Sequence, residues 1–262
     1  MKNHHTSLGR KVRAGLSVAG VAACLGLASS GAGATFSLGG VGGYAVFGVG
    51  GSVAIESDFE VYQHDTVVNG NVGVGRYTDI THDFDGTING RLDYDPAVTY
   101  KGGSLAGGFP PGAITGTITG GTHSMDLTGA QADARSASSY YAGRTATQIF
   151  STLTENQVIV GNGGLNVIRI TGDVTLKKGL TLRGGANDVF VFQLTASDAT
   201  SVHELTLSGM TMTLDGVNAA NILWDMNGTG GGVVISSGAV VYALSSRRTG
   251  IFWRTTATFS DN

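Results

Sequence analysis

Short apolar stretches recur along most of the chain and are separated by Gly, Asn and Thr. In residues 168–183 apolar residues alternate with polar ones, which predicts strands with one buried and one solvated face. The segment 189–194 is almost uninterrupted in its apolar character, as is typical of a strand covered on both faces. Further short strands are predicted at 44–55, 66–75, 87–92, 114–119, 205–214, 221–226 and 230–242.

Residues 129–142 follow a different period. Small or aromatic residues recur there at steps of four, three and four, at Ala130, Ala134, Ala137 and Tyr141. This spacing predicts one helix with a narrow stripe that can lie close to a sheet, and the strand at 189–194 is the expected partner. Gly143 is predicted to end the helix in the left-handed conformation.

The Asn-Gly steps at 69–70 and 89–90 allow two architectures. Asn-Gly favours tight hairpin turns, which would give an antiparallel sandwich. The same steps can be corners between stacked rungs of a solenoid. Units of the form "apolar, x, apolar, Gly" recur without matched long strands on both sides, which favours the rungs. Their spacing is irregular, so no fixed repeat length is assigned.

The N-terminus has the order of an export signal. Four basic residues, Lys2, Arg10, Lys11 and Arg13, precede an apolar run at 14–27 and small residues up to Ala34. We predict a signal peptide over 1–34 and a secreted or cell-surface protein. A membrane anchor is the alternative, although the run is short for a span. A second alternative is lipid attachment at Cys24, although apolar residues continue past it.

The composition after residue 34 limits the function. Cys24 is the only cysteine, so the remaining 228 residues form no disulfide. They contain 12 Lys and Arg against 19 Asp and Glu, a net charge of −7, so nucleic acid is not expected as a partner. Enough apolar residues are present for a core, which excludes a disordered chain. One domain is predicted over 35–242.

Catalytic and metal-binding patterns are absent from the sequence. The histidines at 64, 82, 123 and 203 are isolated, without HExxH spacing, and no G-x-S-x-G elbow occurs. The acidic pairs at 83/85 and 93/95 flank the strand at 87–92 and could donate oxygens to calcium, but no distal bidentate carboxylate follows. The Gly-rich segments lack the lysine of a phosphate loop. We therefore predict no catalytic residue, no metal, no cofactor and no nucleotide.

Three segments in order resemble a known family. They are GFPPGAITGTITGG at 108–121 with the Ala-rich helix after it, LTLRGGANDVFVFQL at 180–194, and ANILWDM at 220–226. Their order is similar to the ice-binding-protein-like domain of secreted microbial proteins, over residues 44–242. The resemblance implies a mainly β fold, an irregular right-handed β-helix with one long α-helix packed alongside. Some members bind ice crystals, and many relatives have no established activity.

Ice binding would need a flat, rigid face of regularly spaced methyl and hydroxyl groups. Threonine supplies both, and the candidate ice face consists of Thr175, Thr181, Thr206, Thr211 and Thr213. Arg169, Lys177, Lys178 and Arg183 share the predicted outward side and would disturb such a plane. Threonine is also simply common on solvated strand faces.

Two function classes follow for a monomeric, non-catalytic protein. Its partner is an ice crystal surface, or else an extracellular polysaccharide or cell surface bound by an adhesion or matrix protein. A polysaccharide-cleaving β-helix enzyme is disfavoured because the carboxylates are scattered.

Residues 243–262 depart from the pattern, since no alternation there fits another rung. The resemblance leads us to expect a strand similar to Phe-Leu-Ala-Pro-Asp-Arg. Codons permitted for residues 244–254 give such a sequence when they are translated two bases later. Our hypothesis is that this tail is off-frame, which would leave the solenoid end uncapped. Sequencing the DNA tests it.

Overall fold

The structure is a computed structural model that describes residues 38–49, 57–59, 67–80, 83–195, 205–227, 233–236 and 251–254. These residues belong to one compact unit, residues 32–262. Short strands dominate the described chain. Its helices are α1 (Thr128–Ala142) and two short 3₁₀ helices, Gly39–Gly43 and Ala219–Asn221.

Nine strands form one parallel sheet. Their spatial order is β11 (Thr122–Ser124), β7 (Leu92–Tyr94), β4 (Asn71–Val74), β1 (Tyr44–Gly48), β22 (Ile251–Arg254), β20 (Ile222–Asn227), β17 (Val189–Thr195), β14 (Leu165–Ile170) and β12 (Gln148–Phe150).

Four smaller sheets contain the other described strands. One has the order β10 (Thr117–Ile118), β6 (Thr87–Asn89), β3 (Val67–Asn69), and a second has β13 (Gln157–Val160), β16 (Leu180–Arg183), β19 (Met212–Asp215). The third has β15 (Val174–Leu176), β18 (Leu205–Ser208), β21 (Val233–Ser236). The fourth has β2 (Ser57–Phe59), β5 (Thr78–Ile80), β8 (Thr99–Tyr100), β9 (Gly103–Ser104).

Neighbouring strands in these sheets run parallel, except for β8 and β9. The antiparallel sandwich is therefore wrong, and the Asn-Gly steps are corners. Gly70, with φ of 135°, separates β3 from β4, which belong to different sheets. Parallel neighbours need a crossover between them, and here each crossover is the rest of a rung.

The chain path is a discontinuous β-helix. It starts in the middle of the nine-stranded sheet at β1 and advances through β4 and β7 to the edge strand β11. Helix α1 then carries the chain to the opposite edge, β12. From there it returns through β14, β17 and β20 to β22, beside its own first strand. The predicted fold class, a mainly β solenoid with one helix, is confirmed.

The interior of the rungs is apolar, as the alternation predicted. Six alternating residues are 0% exposed: Ile168, Ile170, Val174, Leu176, Leu180 and Leu182. The rings of Phe192 and Trp224 stack inside it with centroids 4.2 Å apart. Such burial of large apolar side chains is the main stabilising contribution to the rungs.

A second apolar layer lies between helix α1 and the nine-stranded sheet. Ala134, at 0% exposure, packs there in one cluster with Val191 and Leu223. Strand β17 serves both layers, since Val191 belongs to this cluster while Phe190 belongs to the interior. The prediction that 189–194 is covered on both faces, with the helix as cover, is confirmed.

Charged groups at the two ends of α1 match its dipole. At its start the Leu127 N–H donates to a carboxylate oxygen of Asp95, at 3.2 Å. At its end the Arg169 guanidinium donates to the carbonyl oxygens of Ala142 and Arg144, at 3.4 and 3.2 Å. Acidic groups near the first turn and basic groups near the last turn stabilise a helix.

The end of the helix differs from the prediction for Gly143. Gly143 has φ of −75°, in the right-handed region, so the predicted left-handed cap is wrong. Its N–H donates to the Ser139 carbonyl at 3.2 Å, and the Arg169 guanidinium donates to the carbonyl oxygens on either side of it, those of Ala142 and Arg144. Because a side chain from β14 satisfies these carbonyls, the left-handed turn is not needed.

The tail also departs from the expectation that it adds no rung. Ile251–Arg254 is β22, paired in parallel with β1 on one edge and β20 on the other. Alternation of apolar and polar residues did not predict this strand, because the Ile-Phe-Trp run is continuously apolar. Continuous apolar runs are typical of strands in parallel sheets. The off-frame origin remains a hypothesis about the DNA. Residues 1–37 and 237–250, with the predicted signal peptide and much of the predicted last rung, lie outside the described residues.

The close approach of α1 to the sheet generates a test. Ala134→Leu should lower the free energy of unfolding by about 1–3 kcal/mol, because the added atoms overfill a packed layer. Ala132→Leu is the matched control, since Ala132 is exposed on the same helix. Urea unfolding followed by circular dichroism measures both, and equal stabilities of the two variants would contradict the packing described here.

Candidate functional site

Six strands share one four-residue unit, which we name the face unit: a β-branched residue, an aliphatic residue, a variable residue and Gly. It occurs at 67–70, 87–90, 117–120, 158–161, 181–184 and 213–216. The same pattern at 206–209 lies on β18, which is followed by β19 and not by a strand of the nine-stranded sheet, and it is not counted as a face unit. The six face units fall on the sheets β3–β6–β10 and β13–β16–β19. Each is followed along the chain by a strand of the nine-stranded sheet, so both sheets occupy the same step of the rung.

The first residues of the units form two rows of Val and Thr. Val67 pairs with Thr87, and Thr87 with Thr117, as direct partners. The second row has the same composition and consists of Val158, Thr181 and Thr213. Neighbours in such a row lie about 4.8 Å apart, the spacing of strands in a sheet. We name the outward side of these two sheets the threonine face.

The second residues of the units anchor this face to the interior. They point into the interior and are aliphatic: Val68, Ile88, Ile118, Ile159, Leu182 and Leu214. Ile88 and Leu182 are 0% exposed. Strands fixed on one side by a close-packed core cannot tilt independently.

Glycine at the fourth position lets the rungs stack closely. A Cβ on Gly90 would lie 2.3 Å from the Gly70 carbonyl oxygen, and one on Gly216 would lie 2.1 Å from that of Gly184. No side chain fits these corners without displacing the backbone of the neighbouring rung. The corners therefore keep the first-position rows in register.

The third residues differ between the two sheets. On the first sheet the Asn89 side-chain amide donates to the Asn69 oxygen at 2.8 Å. On the second, Arg183 Nε lies 2.7 Å from an Asp215 carboxylate oxygen, and both side chains are more than half exposed. An exposed pair of this kind contributes about 0–1 kcal/mol to stability. It does place two charges on that part of the threonine face.

The structure divides the five predicted face residues between two sheets. Thr181 and Thr213 are direct partners on β16 and β19, and Thr211 is exposed immediately before β19. Thr175 and Thr206 are direct partners on β15 and β18, a different sheet. The structure thus brings three of the five together on the threonine face and places the other two on another sheet.

Sequence reasoning missed four of the six first-position residues of the threonine face. Val67, Thr87 and Thr117 were not selected, and neither was Val158. Aligning the four-residue units on their glycines would have found all of them, together with Thr206 of the pattern at 206–209, because the first position is Val or Thr each time. The irregular distance between units concealed this alignment.

A buried carboxylate fixes the corner where β13 and β16 end. Asp188, 2% exposed, accepts hydrogen bonds from the N–H groups of Gly163 at 2.7 Å and Gly185 at 2.8 Å. The Asn166 amide donates to it as well, at 3.0 Å. Burial opposes ionisation, but these donors and the Gly164 N–H outweigh it and lower the pKa of Asp188.

A second polar cluster lies at the start of α1. Asp93 is fully buried and accepts a hydrogen bond from the Tyr44 hydroxyl at 3.0 Å. His123 Nδ1 lies 3.2 Å from Asp93, as does the Arg91 guanidinium, so His123 is not the isolated residue that the sequence suggested. Burial, and then the charge of Asp93, raise the pKa of Tyr44. The other three histidines named from the sequence lie outside the described residues.

The acidic pairs weighed as a calcium site are engaged elsewhere. Asp83 accepts from Lys101 Nζ at 2.6 Å, and Asp95 from the backbone before α1. Within the described ranges, no group of three His, Cys, Asp or Glu side chains is placed to hold a metal ion. Nor does any helix among these residues have the length and apolar character needed to cross a membrane.

The fold and the six face units define the class: a helix-flanked β-solenoid whose rungs present a Val and Thr face. The sequence model of the Ice-binding-like family matches residues 56–260. The chain therefore belongs to the Ice-binding-like family. A comparison with curated proteins found no match.

Solved structures with a similar fold include ice-binding proteins. One is the ice-binding protein from the Antarctic ascomycete Antarctomyces psychrotrophicus, with 21% identity, a TM-score of 0.46, and coverage of 87% of this chain and 100% of that one. Another is the ice-binding protein LeIBP from Arctic yeast, with 17% identity, a TM-score of 0.44, and coverage of 87% and 95%.

The Asp188 corner gives a pH prediction. The lowered pKa means that the ionised carboxylate stabilises the fold fully above the unfolded pKa of about 3.9, and that this stabilisation is lost as the pH falls through the folded pKa. Asp188→Asn should cost about 1.5–3 kcal/mol at neutral pH. Urea unfolding between pH 2 and 7 measures both effects.

The control for this prediction is Asp173→Asn, because Asp173 is exposed. The difference in stability between the unsubstituted protein and Asp188→Asn should shrink in acid. A difference that stays constant down to the lowest pH would show that the carboxylate charge does not hold the corner.

Proposed function

We propose that this protein is a non-catalytic ice-binding protein that adsorbs to ice through the threonine face. The observation that carries the proposal is the repeated face unit, which sets Val or Thr at the same place on six strands. Membership of the Ice-binding-like family supports ice as the ligand.

The chemistry of the two rows suits an ordered water surface. Each first-position side chain is β-branched and therefore held in few rotamers, so its methyl groups keep fixed positions. The Thr hydroxyls supply hydrogen-bonding groups between those methyls. Val67 and Val158, 56% and 45% exposed, add apolar area without charge. Such a face orders water without the free-energy cost of removing water from charged groups.

Charges distinguish the two sheets of the face. On β3–β6–β10 the first and third positions of the units are uncharged and end in the Asn69–Asn89 pair. On β13–β16–β19 the Arg183–Asp215 pair stands beside Thr181 and Thr213. We therefore assign the first contact with ice to Val67, Thr87 and Thr117, with the second row adding to the adsorbed area.

The site of action follows from the predicted export. Cleavage after Ala34 would release the solenoid outside the cell, where ice forms, and the absence of cysteine after that residue suits either redox environment. Export, the lack of catalysis and the monomeric state are parts of the proposal.

A second candidate function is an adhesion or matrix protein without ice activity. The exposed Arg183–Asp215 pair favours it, because charged groups keep their own hydration on a face that ice must cover. Binding to cells or polysaccharide by protein that leaves ice growth unchanged would establish this function instead.

Lysine substitutions on three different sheets test the proposal. Thr117→Lys and Thr213→Lys should each reduce thermal hysteresis to less than about a third, because a hydrated charge prevents close contact with ice. Thr175→Lys and Thr206→Lys add the same charge on the sheet β15–β18–β21 and should leave the activity close to that of the unsubstituted protein.

Thermal hysteresis and inhibition of ice recrystallisation are measured on all four variants after circular dichroism has shown equal folding. Loss of activity in the Thr175 and Thr206 variants alone would move the site to the other sheet. Absence of activity in the unsubstituted protein at high concentration would refute ice binding.

A further inference from the structure

The last described strand occupies a special place in the nine-stranded sheet. On one side of β22 lie β1, β4, β7 and β11, which all precede helix α1 in the chain. On the other side lie β20, β17, β14 and β12, which all follow the helix. Among the described strands, β22 is the one that pairs with both groups.

The pairing of β22 is in register on both edges. Phe252 is the partner of Phe47 on one side and of Asp225 on the other, and both neighbours are 0% exposed. Trp253 likewise faces Gly48 and Met226. Without β22, β1 and β20 would both present unpaired backbone N–H and C=O groups in the centre of the sheet, which is costly where neighbours are buried.

We propose that β22 is a closing strand that couples two sets of rungs, those before α1 and those after it, whose backbone ladders are otherwise separate. Each set of rungs has its own parallel ladders. Among the described strands, only β22 pairs with a strand from before the helix as well as with one from after it. The proposal does not depend on ice binding.

Proline on β22 tests this in the full-length chain. In a parallel strand, successive residues direct their N–H groups to opposite neighbours, and proline removes one of them. Phe252→Pro and Trp253→Pro thus interrupt the two edges of β22 separately. Phe252→Val, which keeps the N–H and suits a strand, is the matched control.

The measurement is hydrogen exchange of the intact chain, read by mass spectrometry in two reporter regions, residues 67–124 and 148–195. In the unsubstituted protein and in Phe252→Val the slowest amides of both regions should exchange at similar rates through one cooperative opening. In either proline variant the rates of the two regions should diverge by at least about tenfold. Rates that change equally in both regions, or not at all, would overturn the proposal.

A cross-link keeps the test valid if a proline variant does not fold. Val46 and Ile251 are direct partners, about 4.8 Å apart as neighbouring strands, which is within the range of a disulfide. Val46→Cys with Ile251→Cys, in a Cys24→Ser chain, joins β22 to β1. Oxidation should slow exchange in both reporter regions by the same factor of at least about three. A gain limited to one region, or no gain, would contradict the coupling.

Discussion

Close stacking of parallel rungs at glycine corners is the constraint on which the rest of this structure depends. At Gly90 and Gly216 the backbone of the neighbouring rung lies where a Cβ would be. The stacking keeps equivalent residues of successive rungs opposite one another. One inward aliphatic residue per unit then builds the core, and one outward Val or Thr builds the face. Core and face are two sides of the same four-residue unit.

The chain interrupts its advance across the nine-stranded sheet once, and helix α1 makes this possible. Before the helix the rungs advance from β1 to the edge strand β11, and after it they advance in the same direction from the opposite edge strand β12 to β22. Alanine at 134 and 137 lets the helix lie along the sheet, and side chains from the rungs satisfy both of its ends. Helix and closing strand thus connect the same two sets of rungs in different ways, one by packing and the other by backbone pairing.

Much of this was predictable from the residues. The alternation at 168–183 and the continuous run at 189–194 predicted burial correctly, because side-chain direction in a strand depends only on residue parity. Two predictions were wrong: the left-handed conformation of Gly143, and the absence of a rung in residues 243–262. Both outcomes depend on residues that are distant in the sequence, Arg169 for Gly143 and strands β1 and β20 for the tail. Thr175 and Thr206 were grouped with Thr181 and Thr213 because the sequence shows outward position but not which side of a rung a strand occupies.

The arrangement of the six face units is the central claim, and methyl nuclear Overhauser effects on the protein in solution test it most directly. Contacts are expected from Thr87 to both Val67 and Thr117, and from Thr181 to both Val158 and Thr213. No contact is expected from Thr175 to Thr181, which lie on different sheets. Contacts between the methyl groups of Thr175 and Thr181, or cross-strand patterns of antiparallel hairpins at the Asn-Gly steps, would contradict the account.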